Sequence, residues 1–124
     1  MANEWKVLVV DDDRLICWSL KRALMRAGYA VSVTNSGEEA SEILQKNSFD
    51  LVITDFKMSG INGLEVLEEV KRCCPPAKSI LMTAFGSDAI EEQAKKYGAG
   101  YVTKPFQVSE FVEYVHRLSD PSAR

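Results

Sequence analysis

Long apolar runs are missing from this 124-residue chain, and none approaches the roughly 20 residues needed to cross a bilayer as a helix. A membrane-spanning helix is therefore not predicted. The opening MANEWK has neither a basic leader nor an apolar segment behind it, which predicts no secretion signal and a cytoplasmic address. Cysteine is scarce: Cys17, Cys73 and Cys74 are odd in number, two are adjacent, and none shows zinc-ligand spacing. Neither a disulfide framework nor a metal knuckle fits that pattern. Positive charge is not in excess, and a net charge of -3 with a pI near 5.2 gives no electrostatic reason to bind nucleic acid directly. Gly86, Gly98 and Gly100 stand alone and make no phosphate-binding loop. The one histidine, His116, falls near the end of a predicted helix, where a cation complements the dipole, and no catalytic part is assigned to it. No repeat, low-complexity segment or linker is visible, and the length suits a single domain.

What is present is an alternation. Short apolar runs at KVLVV (6–10), AVSVT (30–34), LVIT (51–54), SILM (79–82) and GYVT (100–103) read as strands. Between and after them, apolar residues recur with helical spacing. The first helix, about Arg14 to Ala27, carries Ile16, Leu20, Ala23, Leu24 and Ala27 on one stripe and stops at Gly28. The second opens with Ser36 and Glu39 at capping-box spacing and turns Ala40, Ile43 and Leu44 inward. The third follows Gly63 with Leu64, Leu67 and Val70, before Pro75 and Pro76. The fourth has Ile90, Ala94 and Tyr97 before Gly98; the fifth has Val108, Phe111, Val112, Val115 and Leu118.

Strands alternating with helices predict an α/β fold with a parallel sheet, because right-handed crossovers place the helices on its two faces. The runs at 7–10, 51–53 and 80–82 are apolar throughout and suit interior strands, whereas AVSVT alternates and GYVT is short, as edge strands are. A doubly wound five-stranded sheet of order 2-1-3-4-5, flanked by five helices in the flavodoxin-like arrangement, satisfies both hints. The domain is predicted over residues 1–119, with a polar tail at 120–124.

In such sheets ligands bind beyond the carboxyl ends of the strands. Strand one delivers Asp11, Asp12 and Asp13 to that edge, strand three Asp55, strand four Thr83 and strand five Lys104. Crowded carboxylates repel, and burial makes the repulsion worse, so something positive must join them. A carboxylate set whose donors are oxygens only describes a hard-cation site of the kind Mg²⁺ occupies, and Lys104 adds an ammonium. Asp13 suits the N-cap of the first helix. A cation, a hydroxyl and a lysine around one aspartate suit a transient phosphoryl group, with Asp55 as its acceptor.

The segments VLVVDDD, TDFKM, NGLEVL, ILMTAFGS and YVTKPF resemble, in order and spacing, the receiver domain of two-component response regulators, over about residues 5 to 118. The resemblance implies that Asp55 accepts phosphate from a phosphohistidine on a histidine kinase or histidine phosphotransfer protein. It implies direct Mg²⁺ coordination by Asp12, coordination through water by Asp11, and the backbone carbonyl of Lys57 as a further ligand, with Mn²⁺ able to substitute. Thr83 and Lys104 would bind phosphoryl oxygens, Tyr101 would be the aromatic that reports phosphorylation, and the peptide between Lys104 and Pro105 would be cis. Such a domain is a phosphoacceptor that catalyses only its own phosphorylation and dephosphorylation. Its output, or a homodimer, would use the face of helix four, strand five and helix five. Ser59 stands where the family usually has proline, which leaves φ free and restores an N–H.

Two further expectations concern residues around this site, and two alternative functions stand beside them. Leu15 and Trp18 should point outward near the acids and help dock the phosphodonor. Lys57 and Phe85 should flank the acceptor and gate water, with small Ala84 leaving access for the donor. A haloacid-dehalogenase-type phosphatase using Asp11 and Asp13 is the main alternative; it lacks a later acidic pair and a cap domain, and leaves Asp55 unused. A degenerate, interaction-only receiver is disfavoured because no site residue is missing.

Overall fold

The computed structural model describes residues 5–120. Five strands, β1 (Lys6–Val10), β2 (Ala30–Thr34), β3 (Leu51–Asp55), β4 (Lys78–Thr83) and β5 (Gly100–Thr103), alternate with α1 (Arg14–Arg26), α2 (Gly37–Lys46), α3 (Gly63–Cys73), α4 (Asp88–Lys96) and α5 (Val108–Ser119). The sheet is wholly parallel with order β2-β1-β3-β4-β5, as the apolar patterning predicts. β3 and β4 each run one residue beyond their apolar segments. Asp55 stays in the ladder opposite Met82, and Thr83 opposite Thr103, so both polar side chains are held by sheet rather than loop.

Side-chain alternation divides the interior between the two faces of the sheet. Val7, Val9, Leu51, Ile53, Ile80 and Met82 pack with Leu20 and Leu24 of α1 and Phe111 and Val115 of α5. Leu8, Val10 and Val52 pack with Ala40 and Leu44 of α2 and Val66 and Val70 of α3. Leu67, Leu81, Ala94 and Ala99 form a third cluster under α3 and α4. On α1 the inward stripe runs through Cys17, and Ala27 is the exposed C-cap rather than an inward residue.

The helix starts show how local chemistry sets the loops at the carboxyl edge. Asp13 accepts the N–H groups of Leu15 and Ile16 at 3.0 and 3.2 Å. Ser36 accepts Glu39 N–H at 3.1 Å, but the Glu39 carboxylate accepts the Thr34 hydroxyl instead of turning back to the cap, so the expected box is only half made. The complete reciprocal box is at Asn62 and Glu65, a pair that the position of Gly63 obscured in the sequence. Of the tail expected at 120–124, residues 121–124 lie outside the described residues.

Gly63 is the tightest of these joints. A Cβ there would overlap the Asp55 carbonyl oxygen and lie 2.7 Å from Leu81 Cδ1 and 2.8 Å from Phe56 Cα, two of the three neighbours being backbone. Alanine would ordinarily favour a helix by up to about 1 kcal/mol. Gly63→Ala is nevertheless expected to lower stability by about 1–3 kcal/mol through overpacking against backbone that cannot yield. Urea denaturation measures this, and an equally stable variant would contradict it.

Candidate functional site at the carboxyl edge of the sheet

β1 and β3 are neighbours with Val10 opposite Thr54, so Asp11, just past β1, and Asp55, the last residue of β3, lie side by side. Asp11 is fully buried and Asp55 is 6% exposed, an unusual depth for carboxylates. The Asp11 backbone is fixed from three sides: its N–H donates to the Thr34 carbonyl at 3.1 Å, and its own carbonyl accepts from Asn35 Nδ2 at 2.9 Å and Cys17 Sγ at 3.2 Å. Its Oδ1 accepts Asp13 N–H at 3.0 Å. Lys104, following β5, reaches both acids, with Nζ 2.8 Å from Asp11 Oδ2 and 2.9 Å from Asp55 Oδ1. Asp12 lies exposed beside them, and one carboxylate oxygen from each of Asp11, Asp12 and Asp55 lies within 4.8 Å of the others.

Burial pushes the carboxyl of Asp11 above the ordinary range, and hydrogen bonds from Lys104 and the Asp13 amide only partly oppose it. Burial does the same at Asp55, where the Lys104 hydrogen bond pulls down and the charge of Asp11 pushes up. For Lys104 burial works against the ammonium, yet the hydrogen bonds to Asp11 and Asp55 prevail and hold it above its usual value. Cys17 beneath Asp11 is pushed up to about 11 by burial and by the Asp11 charge, so it remains a thiol that donates to backbone. One ammonium thus faces three carboxylates whose donors are all oxygen. That set fits a hard divalent cation in charge, donor type and closeness.

The remaining predicted residues are arranged around this cluster. Thr83 ends β4, 1% exposed, and its hydroxyl oxygen accepts Phe85 N–H at 3.0 Å. The Lys104–Pro105 peptide is cis. Lys57 and Phe85, from the loops after β3 and β4, meet each other, with Nζ 5.5 Å from the ring centroid. Ala84 beside them is exposed. Tyr101 is half-buried on β5, and its hydroxyl presses on Gly86; it is the buried side-chain polar atom with no hydrogen-bond partner among the described residues. Leu15 and Trp18 are 69% and 59% exposed on α1, and the Leu15 N–H donates to the Asp13 cap. Asn35, Cys17 and Gly86 were not legible as site residues. The one usable signal was position, since Asn35 directly follows the last residue of β2 at the same edge.

A raised carboxyl pKa means that the fold holds the proton more tightly than the unfolded chain does. The stability Asp55 contributes is therefore present below the ordinary value of 3.8 and lost as pH rises through its higher folded value. In metal-free buffer, Asp55→Asn, which keeps the shape without the charge, is expected to be more stable than wild type at pH 7.5. The margin should shrink toward pH 4. Denaturation at both pH values checks this, and a constant margin would contradict it.

The chain matches the response regulator receiver domain family over residues 7–116. It is 38% identical over 112 residues to the DNA-binding transcriptional regulator NtrC of Escherichia coli K12, covering 90% of this chain and 24% of that protein. The chain thus spans about a quarter of the length of this relative. It is 35% identical over 116 residues to the chemotaxis protein CheY of Thermotoga maritima, covering 92% of this chain and 97% of that one. A crystal structure of a Burkholderia pseudomallei response regulator with a phosphorylated aspartic acid, calcium ion and citrate superposes with a TM-score of 0.81 at 27% identity, covering 95% of this chain and 76% of that one. With its sheet order, its edge of acids and a family match over nearly its whole length, the chain belongs to the receiver domains of response regulators, a family of phosphoacceptor signalling domains.

Proposed function

We propose that Asp55 is the phosphoacceptor, taking a phosphoryl group from a phosphohistidine of a histidine kinase or phosphotransfer protein. The observation that carries this is the triangle of Asp11, Asp55 and Lys104. Both Asp11 oxygens are engaged, one by Asp13 N–H and one by Lys104, whereas Asp55 Oδ2 has no hydrogen bond among the described residues. That oxygen is the nucleophile, which disfavours the phosphatase reading in which Asp11 would attack. The relative from Burkholderia, with its phosphorylated aspartic acid and calcium ion, supports the same chemistry.

Asp11, Asp12, Asp55 and the Lys57 main-chain carbonyl would hold Mg²⁺, or Mn²⁺ in its place. When bound, the ion supplies the positive charge that brings an anionic donor up to an anionic acceptor. As Asp55 Oδ2 bonds to phosphorus, the bond from phosphorus to the donor imidazole breaks, leaving an acyl phosphate. Lys104, already tied to the acceptor, pairs with one phosphoryl oxygen. The Thr83 hydroxyl, whose oxygen accepts Phe85 N–H, keeps its hydrogen free to donate to another. Inward movement of Thr83 draws on Tyr101, whose hydroxyl lies against the β4–α4 loop at Gly86. The switched surface, and the face for an output partner or a homodimer, is then α4, β5 and α5.

Docking of the phosphodonor falls to α1. A groove of about 400 Å³ beside Lys104 is lined by Leu15, Ile16, Leu20, Ala84, Pro105 and Phe106. Trp18 continues this apolar surface outward, and α1 carries Arg14, Lys21, Arg22 and Arg26 with no acidic residue, so the partner presents apolar and acidic groups together.

Wild-type protein with acetyl phosphate and Mg²⁺ should gain one phosphoryl group by mass spectrometry, and Asp55→Asn none. Trp18→Ala should slow transfer from the protein donor while leaving labelling by acetyl phosphate unchanged. Full labelling of Asp55→Asn would refute the acceptor assignment, and equal slowing with both donors would remove the docking role.

Lys57 and Phe85, each two residues beyond a site residue, meet each other, and in this reading the pair limits the approach of water to the acyl phosphate. Replacing both residues by alanine should shorten the phosphate lifetime several-fold, read as loss of the labelled mass with time. An unchanged lifetime would rule the gate out.

A further inference from the structure

The loop that joins β3 to α3 carries Lys57 and continues as Met58, Ser59, Gly60 and Ile61. Its backbone is soft by composition, because serine leaves φ free and Gly60 sits at φ 80°, in the left-handed region. Two anchors belong to the loop itself: Met58 is buried among Ala40, Leu44 and Val66, and Asn62 caps α3. Between them the restraint comes from another element. Ile61 N–H donates to Glu38 Oε2, in the first turn of α2, at 3.2 Å. The same carboxylate lies over Gly60, where a Cβ would come within 3.0 Å of Glu38 Cδ. Gly37 packs against the other side of Ile61, since a Cβ on Gly37 would lie 2.7 Å from the Ile61 carbonyl oxygen. The first turn of α2 therefore grips Gly60 and Ile61, directly after Ser59.

We infer that Glu38 is a positioning residue for the cation seat: it pins the loop from α2 so that the Lys57 carbonyl is held toward Asp55 and Asp12. This rests on the reading of those groups as the seat. A loop that samples other conformations holds its ligand in place for only a fraction of the time, and the apparent cation affinity falls by that fraction. Glu38 acts through backbone order, not through its charge, and the predicted consequences separate the two.

The test uses Glu38→Ala, Glu38→Gln and Ser59→Pro, with two readouts. In metal-free protein, the amide hydrogen exchange of Ile61 reports on the pin directly. Titration calorimetry with Mg²⁺ alone reports on the seat. Glu38→Ala should speed Ile61 exchange and weaken Mg²⁺ binding by about threefold to tenfold, the range given by one hydrogen bond. Glu38→Gln loses the same charge but keeps an oxygen acceptor, and should stay close to wild type in both. Ser59→Pro restricts the loop by itself, so Glu38→Ala should cost less affinity in that background. Unchanged Ile61 exchange in Glu38→Ala would overturn the inference, as would faster exchange with undiminished affinity, or Glu38→Gln matching Glu38→Ala. Wild-type protein that takes up no Mg²⁺ would overturn the seat and this role with it, a result distinguished by its independence from residue 38.

Discussion

Two buried carboxylates tied to one ammonium, with a third, exposed carboxylate beside them, are the constraint from which the rest of the molecule follows. Asp11 and Asp55 are side by side because β1 and β3 are neighbours, and they are neighbours because the chain reverses direction of winding between them. The net negative charge left over after Lys104 is a standing cost of the resting state. It persists because the backbone leaves these groups no alternative: Asp11 is held by Thr34, Asn35 and Cys17, and Asp55 by the β4 ladder. A fold that tolerates such repulsion gains a site that responds strongly to any added cation or anion.

Rigidity and freedom are divided between the layers of this edge. Asp55 and Thr83 are ladder residues of strands packed over two apolar faces, and Asp11 directly follows β1. Lys57, Ala84 and Phe85 are exposed on the loops after β3 and β4. Under the proposed function, such a division places the acceptor on the stiff part and leaves rate and recognition to parts that vary without unfolding the sheet.

Much of this was legible from the residues alone, for a physical reason. Apolar runs reveal strands, and in a parallel sheet every strand ends at the same edge, so Asp11, Asp12, Asp55, Thr83 and Lys104 could be placed together before any coordinate was known. The fold order and the cap at Asp13 followed similarly from local pattern. What stayed hidden acts between elements far apart in sequence. Asn35 holds the Asp11 carbonyl, Glu38 reaches Ile61 across 23 positions, and Lys57 meets Phe85. Nothing in a local pattern marks a polar side chain that bonds to distant backbone. The half-made box at Ser36 teaches the same lesson: Glu39 had a better partner in Thr34, one that helical spacing does not register.

The close fit of the Tyr101 hydroxyl against Gly86 has a consequence for how such a domain could diverge. The ring occupies its position because residue 86 has no side chain, so the preferred rotamer of an aromatic on β5 is written into the steric profile of a different loop. A slightly larger residue at position 86 would therefore displace the Tyr101 ring without altering any of the acids at the sheet edge.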